Sequence, residues 1–179
     1  MAKQWAVVGL LIAGLGLGGF ALARAGRAIT GVEVGNAAPE YVAVDLATGD
    51  SVSLRERYRG QVTLINIWAT WCAPCREEMP AMQAAYDSLR GRGFRIAAVS
   101  IDQSDSTAVR AFVEELGLTF DILHDRSGAI QRTYQTTGVP ESFLLDREGR
   151  IVRRVIGAHD WSSSINRDLI ARLLADGGA

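Results

Sequence analysis

The sequence is poor in cysteine, histidine, lysine and proline, and each shortage excludes something. Two cysteines in 179 residues cannot build the multiply bridged framework of a small secreted scaffold. The two histidines, His124 and His159, lie far apart in the chain. With no second cysteine pair beside them, the four ligands of a structural zinc site are not on offer. Lys3 is the only lysine, and the formal net charge is −1 with a pI of about 6.1. No basic stripe stands out, so nucleic acid is not an expected partner. Past the N-terminal segment there is no internal repeat and no low-complexity tract. Roughly 150 residues remain there, enough for one domain with a real core.

The one long apolar run is Trp5 to Ala23. Its length is close to the ~20 residues that span a hydrocarbon core. Lys3 precedes it, and Arg24 and Arg27 follow, so charge alone does not orient it. Two readings stay open: an uncleaved anchor, or a signal peptide cleaved near Ala21-Leu22-Ala23. Gly14-Leu15-Gly16-Leu17-Gly18-Gly19 matches the dinucleotide fingerprint in letters only, because the flanking strand, helix and acidic residue are missing. The expected organisation is a membrane segment at 1–23, a linker at 24–37 and a folded domain at 38–179.

Both cysteines fall in one tetrapeptide, Cys72-Ala73-Pro74-Cys75, directly after Trp71. An unbroken apolar run, Val62 to Trp68, precedes it and reads as a strand buried on both faces. A helical pattern from about Cys75 to Leu89 follows, with Pro80 expected to kink it. Half a zinc site, an inert bridge and a redox pair are the possible readings. A bridge closing so short a loop removes little unfolded-state entropy and makes a poor staple. A helix N-terminus, with its partial positive charge and unpaired N–H groups, stabilises a thiolate. The first cysteine is therefore expected to titrate below about 8.5 and to react as the nucleophile. Cys75, one turn in and more buried, is expected to resolve the mixed disulfide. No cofactor beyond this pair, and no metal, is expected.

The rest of the chain alternates strand and helix. Tyr41–Leu46 and Ser51–Leu54 read as a hairpin around Ala47-Thr48-Gly49-Asp50. Arg55–Gln61 reads as a polar turn. Phe94–Ile101 is a second buried strand, followed by a helix capped by Ser104 or Asp105 and ending near Gly117. Phe120–Leu123 reads as a strand and Ser127–Tyr134 as a short helix. Ser142–Leu145 and Ile151–Ile156 form a hairpin about Asp146–Gly149. A last helix, Trp161–Leu174, places Ile165, Leu169 and Ile170 on one face. The pattern predicts an α/β class, three-layer α/β/α sandwich with an N-terminal β-hairpin, preceded by one transmembrane helix.

Asn66-Ile67-Trp68-Ala69-Thr70-Trp71-Cys72-Ala73-Pro74-Cys75-Arg76-Glu77-Glu78-Met79-Pro80 resembles the active-site segment of thioredoxin-like proteins of the TlpA/ResA type. These are envelope-facing thiol-disulfide oxidoreductases that include the cytochrome c maturation thioredoxins. Gly138-Val139-Pro140-Glu141-Ser142-Phe143-Leu144-Leu145-Asp146 resembles the family's second signature. The likeness runs from about Ala38 to about Leu174. It implies a thioredoxin-like fold and a cis Val139–Pro140 peptide facing the disulfide. It also implies a substrate strand pairing with the backbone of Val139. Cytoplasmic thioredoxins usually carry a buried aspartate where Asn66 stands. An amide cannot titrate, and Glu78, at the family's active-site glutamate position, is expected to take over proton transfer to Cys75. It shares a helical face with Cys75 three residues before it. Trp71 and Glu141 are candidate substrate contacts. The alternative for Glu141 is a solvated strand-end carboxylate, and His124 and His159 read as ordinary loop histidines.

The function these readings imply is that of a membrane-tethered thiol-disulfide oxidoreductase with its redox domain on the periplasmic side. It would reduce disulfides in exported proteins such as apocytochrome c, with a membrane electron donor restoring the dithiol. The alternatives are a copper-delivery protein using the same thiolates and a thiol peroxidase. The peroxidatic Pro-x-x-x-Thr-x-x-Cys context is absent before Cys72.

Overall fold

The structure, a computed structural model, describes residues 31–176. The apolar run 5–23, and with it the expected membrane helix, lies outside the described residues. Among those described, no helix is long and apolar enough to cross a membrane. The elements in chain order are β1 (Val42–Asp45), β2 (Ser51–Ser53), α1 (Leu54–Arg57), β3 (Val62–Trp68), α2 (Ala73–Leu89), β4 (Phe94–Ser100), α3 (Thr107–Glu115), β5 (Asp121–His124), α4 (Ala129–Thr133), β6 (Glu141–Leu145), β7 (Ile151–Ile156) and α5 (Ser164–Asp176).

One seven-stranded sheet has the order β2-β1-β5-β4-β3-β6-β7. β3, β4 and β5 are parallel, as helical crossovers require. β6 and β7 close one side antiparallel, and the β1–β2 hairpin extends the other. β3 sits between β4 and β6, and all seven of its residues are buried. Its continuous apolar run has that cause: both faces are covered.

Alternation along β3 sorts the helices between the two faces. Asn66 meets Glu78 of α2, and Trp68 stacks at 4.8 Å on Phe112 of α3. Leu144 of β6 pairs with Arg153, whose guanidinium reaches Asn166 of α5. Helices α2, α3 and α5 therefore share one face. On the other face Phe143 packs at 5.1 Å against Tyr134, the residue capping α4, and Tyr134 donates to the Pro39 carbonyl. The result is the expected sandwich, with one layer of long helices and one thinner layer of short helices and chain.

The structure departs from sequence expectation in several places. Leu54–Arg57 is a helical turn, because Ser53 Oγ accepts from the Glu56 N–H and caps it. Ser106, not Ser104 or Asp105, is the N-cap of α3, although the Asp105 carboxylate still takes the Thr107 N–H. Val32 is buried in the core and Ala37 bridges to Arg150, so the end of the expected linker packs on the domain. His124 is no loop residue: it ends β5, is buried, and its Nε2 lies 2.8 Å from the Asp102 carbonyl. Helix α5 begins three residues later than expected, at Ser164, and its inward face is Asn166, Ile170 and Leu174. Ile165 points outward at 73 % exposure.

This last difference is testable. Ile170→Ala should destabilise the domain by about 2–5 kcal/mol, whereas Ile165→Ala should cost less than about 0.5 kcal/mol. Urea unfolding of the two variants distinguishes the faces.

Candidate active site

The site lies where β3 hands over to α2. Cys72 is the N-cap of α2, in extended conformation, and its Sγ accepts from the Cys75 N–H at 3.2 Å. Pro74 occupies the first turn, where a missing N–H costs nothing. Cys72 and Cys75 are joined as a disulfide with a Cα–Cα distance of 5.3 Å. Cys72 keeps 5 % exposure while Cys75 has none, so a partner thiol can reach only the first sulfur. On reduction, a Cys72 thiolate inherits the Cys75 N–H and the helix terminus as stabilising partners.

The loop before the cysteines is pinned by a residue the motif reading missed. Asp102, buried just after β4, accepts from the Thr70 N–H at 3.0 Å and from the Thr70 hydroxyl at 2.5 Å. Ser100 also donates to it, at 2.7 Å. Its only sequence signal is an acidic residue at the end of an apolar strand. Trp71, next along, is 68 % exposed beside the disulfide, while Trp68 is fully buried.

Behind Cys75 lies a buried carboxylate. Glu78 is 3 % exposed. Its Oε1 accepts from Asn66 Nδ2 at 2.7 Å, and its Oε2 accepts from the His159 N–H at 3.1 Å. Burial pushes its pKa up from the ordinary 4.5 to about 7; the two hydrogen bonds oppose the rise without cancelling it. Asn66 Nδ2 also donates to Ser142 Oγ at 2.9 Å, and Asn66 Oδ1 is buried without a partner. Glu77, by contrast, faces solvent.

Opposite the disulfide, the Val139–Pro140 peptide is cis. The Val139 carbonyl oxygen is 3.5 Å from Cys72 Sγ. No hydrogen bond among the described residues uses the Val139 N–H. Glu141 is fully buried, which corrects the expectation of a substrate contact as well as the alternative of a solvated strand-end carboxylate. One oxygen pairs with the Arg154 guanidinium and the other accepts from the Thr137 N–H at 3.2 Å. Arg154 further donates to the Val32 and Gln135 carbonyls, at 3.1 Å and 2.9 Å. With both carboxylate oxygens engaged inside the domain, Glu141 ties together the segments flanking the cis-proline loop. The sequence could not show this, because its partner lies on the next strand.

A dithiol-forming pair at a helix start, a cis-proline loop against it and a buried carboxylate one turn behind form a thiol-exchange constellation. The sequence profile of the AhpC/TSA family matches residues 34–154. The thiol-disulfide oxidoreductase ResA of Bacillus thuringiensis subsp. konkukian is 36% identical over 126 residues, covering 70% of this chain and 71% of that one. ResA of Geobacillus kaustophilus is 37% identical over 128 residues, covering 72% of each. The chain belongs to the AhpC/TSA family and is a ResA-like thiol-disulfide oxidoreductase. The thioredoxin domain of a thiol-disulfide oxidoreductase from Bacteroides vulgatus superposes with a TM-score of 0.68 at 27% identity, covering 76% of this chain and 97% of that one. The architecture of this oxidoreductase is thus thioredoxin-like.

The folded oxidoreductase brings Trp71, Cys72, Cys75, Val139 and Pro140 to one end of the sheet. Glu78 lies beneath them, and Glu141 is turned into the domain. The raised Glu78 pKa fixes a pH dependence of stability. Between about pH 4.5 and about pH 7 the folded protein holds a proton that the unfolded chain releases, so stability falls as pH rises through that window. Glu78→Gln removes this penalty. The oxidised variant should match wild type below about pH 4.5 and exceed it by roughly 3 kcal/mol at pH 8. Denaturant titrations at the two pH values check this; equal offsets at both would contradict it.

Proposed function

We infer that this oxidoreductase works as a reductant of disulfides in exported proteins, held at the outer face of the cytoplasmic membrane by its N-terminal apolar segment. The observation that carries the reading is the pairing of an accessible Cys72 at a helix N-cap with a buried titratable Glu78 one turn behind Cys75. In the reduced protein, the Cys72 thiolate attacks a client disulfide. One client sulfur leaves as a thiolate and takes up a proton, and a mixed disulfide forms. Cys75 then loses its proton toward Glu78 and attacks Cys72 Sγ. The second client thiol is released, and the Cys72–Cys75 disulfide closes. Two electrons pass to the client, and a membrane thiol donor returns them.

Asn66 suits Glu78 in either protonation state. With Nδ2 turned toward the site it donates to the carboxylate and to Ser142. Turned over, its now unpartnered Oδ1 would accept from a protonated Glu78 and from the Ser142 hydroxyl. The proton on Glu78 selects the orientation: an ionised carboxylate requires the Nδ2 donor, and a protonated one can donate to Oδ1. A fixed aspartate at this place would add a second buried charge.

Recognition would be largely by backbone. The unused Val139 N–H and its carbonyl can pair with an extended client segment. Trp71 and Ile156, 68 % and 64 % exposed, offer apolar contacts on either side. Such a surface suits an unfolded client presenting a Cys-x-x-Cys disulfide. Apocytochrome c, whose cysteines must be reduced before haem attachment, is the client class we favour.

Cys75→Ala should accumulate a covalent adduct between Cys72 and a peptide carrying an oxidised Cys-Xaa-Xaa-Cys-His segment, seen as a dithiothreitol-sensitive mass shift. Cys72→Ala should form none. An adduct on Cys75 in the Cys72→Ala protein would reverse the assignment. A C-terminal reporter fusion active only in the cytoplasm would overturn the proposed location.

A further inference from the structure

The loop between β7 and α5 supplies half of the carboxylate's hydrogen bonds through one backbone group, the His159 N–H. Backbone donors act only if the loop holds still. The loop carrying this one is held by Asn166, which is 3 % exposed and lies on the first turn of α5. Its Oδ1 accepts from the Arg153 guanidinium at 2.8 Å. That contact fixes which way the amide points, because a guanidinium can only donate. Nδ2 is thereby aimed at the loop, where three acceptors share its two protons. These are the Asp160 carbonyl at 2.6 Å, Ser163 Oγ at 2.9 Å and His159 Nε2 at 2.9 Å. Trp161, fully buried and 5.0 Å from the His159 ring, anchors the far side of the loop.

We propose that Asn166, oriented by Arg153, is a positioning residue for thiol exchange: it clamps the 157–163 loop so that the His159 N–H stays on Glu78 and sets when that carboxylate takes up and gives back its proton. The inference rests on the role proposed above for Glu78. Asn166 touches neither the cysteines nor the client. It acts through the loop backbone alone. Around Glu78, the titratable groups are Cys75 on its own helix and His159 on the loop. The sheet presents only the neutral Asn66 and Ser142. The loop itself carries the charged Asp160, and Arg153 stands behind it on β7. Of these, His159 is the group whose own titration could mimic that of Glu78, so the test must separate the two.

The experiment measures the rate at which the reduced protein reduces an oxidised Cys-Xaa-Xaa-Cys-His peptide from about pH 5 to pH 10. Wild type, Asn166→Ala, Arg153→Met, Glu78→Gln and Glu78→Gln/Asn166→Ala are compared. Losing a hydrogen bond to the ionised form makes a carboxyl hold its proton more tightly. Asn166→Ala should therefore move the Glu78-dependent inflection upward by roughly 0.5–1 pH unit. Arg153→Met, which frees the amide while leaving Asn166 in place, should move it the same way by less. In the Glu78→Gln background Asn166→Ala should leave the profile unchanged. If Asn166→Ala and Arg153→Met inflect where wild type does while Glu78→Gln loses the inflection, the clamp is overturned and the role of Glu78 stands. A shift that persists in the Glu78→Gln background belongs to His159 and also overturns it. Superimposable wild-type and Glu78→Gln profiles remove the role of Glu78 and the clamp with it. Arg153 is a half-buried strand residue, so its variant keeps the test alive if Asn166→Ala fails to fold.

Discussion

The hydrogen bond from Asn66 to Glu78 organises this molecule. It joins the middle of the buried strand β3 to the second turn of α2. That helix in turn presents one sulfur to a partner and hides the other. Burying a carboxyl is expensive unless it is hydrogen-bonded or neutral. This carboxyl is both bonded and near its point of neutrality. The cost of its burial is what keeps it titratable near neutral pH. Glu77, one residue earlier, faces solvent and has no such environment.

Around this bond the oxidoreductase is built from ordinary devices placed to serve it. The N-cap position gives Cys72 an N–H partner. The buried Asp102 fixes the preceding loop through Thr70. The pair of half-buried Arg154 and buried Glu141 ties β6, β7 and the segment around Val32 together behind the cis-proline loop. Such a pair adds little net stability but fixes geometry, since removing one partner leaves a buried charge alone. Each device sits on a rigid element or is locked to one, and the reacting sulfur is left at the end of the sheet where β3 hands over to α2.

Much of this was legible in the sequence where the signal is local. The Val62–Trp68 run announced a doubly covered strand. The spacing of Cys72 and Cys75 after it announced a helix-start redox pair. Glu78 is legible from its helical spacing to Cys75 and from the likeness to the TlpA/ResA type, and the non-titrating amide at Asn66 points to it. What stayed hidden depends on contacts between distant segments. Nothing near Glu141 in the chain says that Arg154 lies across the β6–β7 ladder. Asn166 reads as one polar residue in an amphipathic helix, and Asp102 and His124 read as loop positions. Ile165 was misplaced because α5 begins three residues later than its apolar pattern suggests, which rotates the inward face.

The most direct measurement is of the Glu78 carboxyl itself. The infrared or carbon-13 signal of that side chain in the oxidised protein, assigned by difference against Glu78→Gln, can be followed from pH 3 to pH 9. The account predicts a midpoint at about 7. A midpoint near the ordinary 4.5 would show a carboxylate already ionised throughout the working range, and the proton transfer to and from Cys75 would have to be assigned elsewhere.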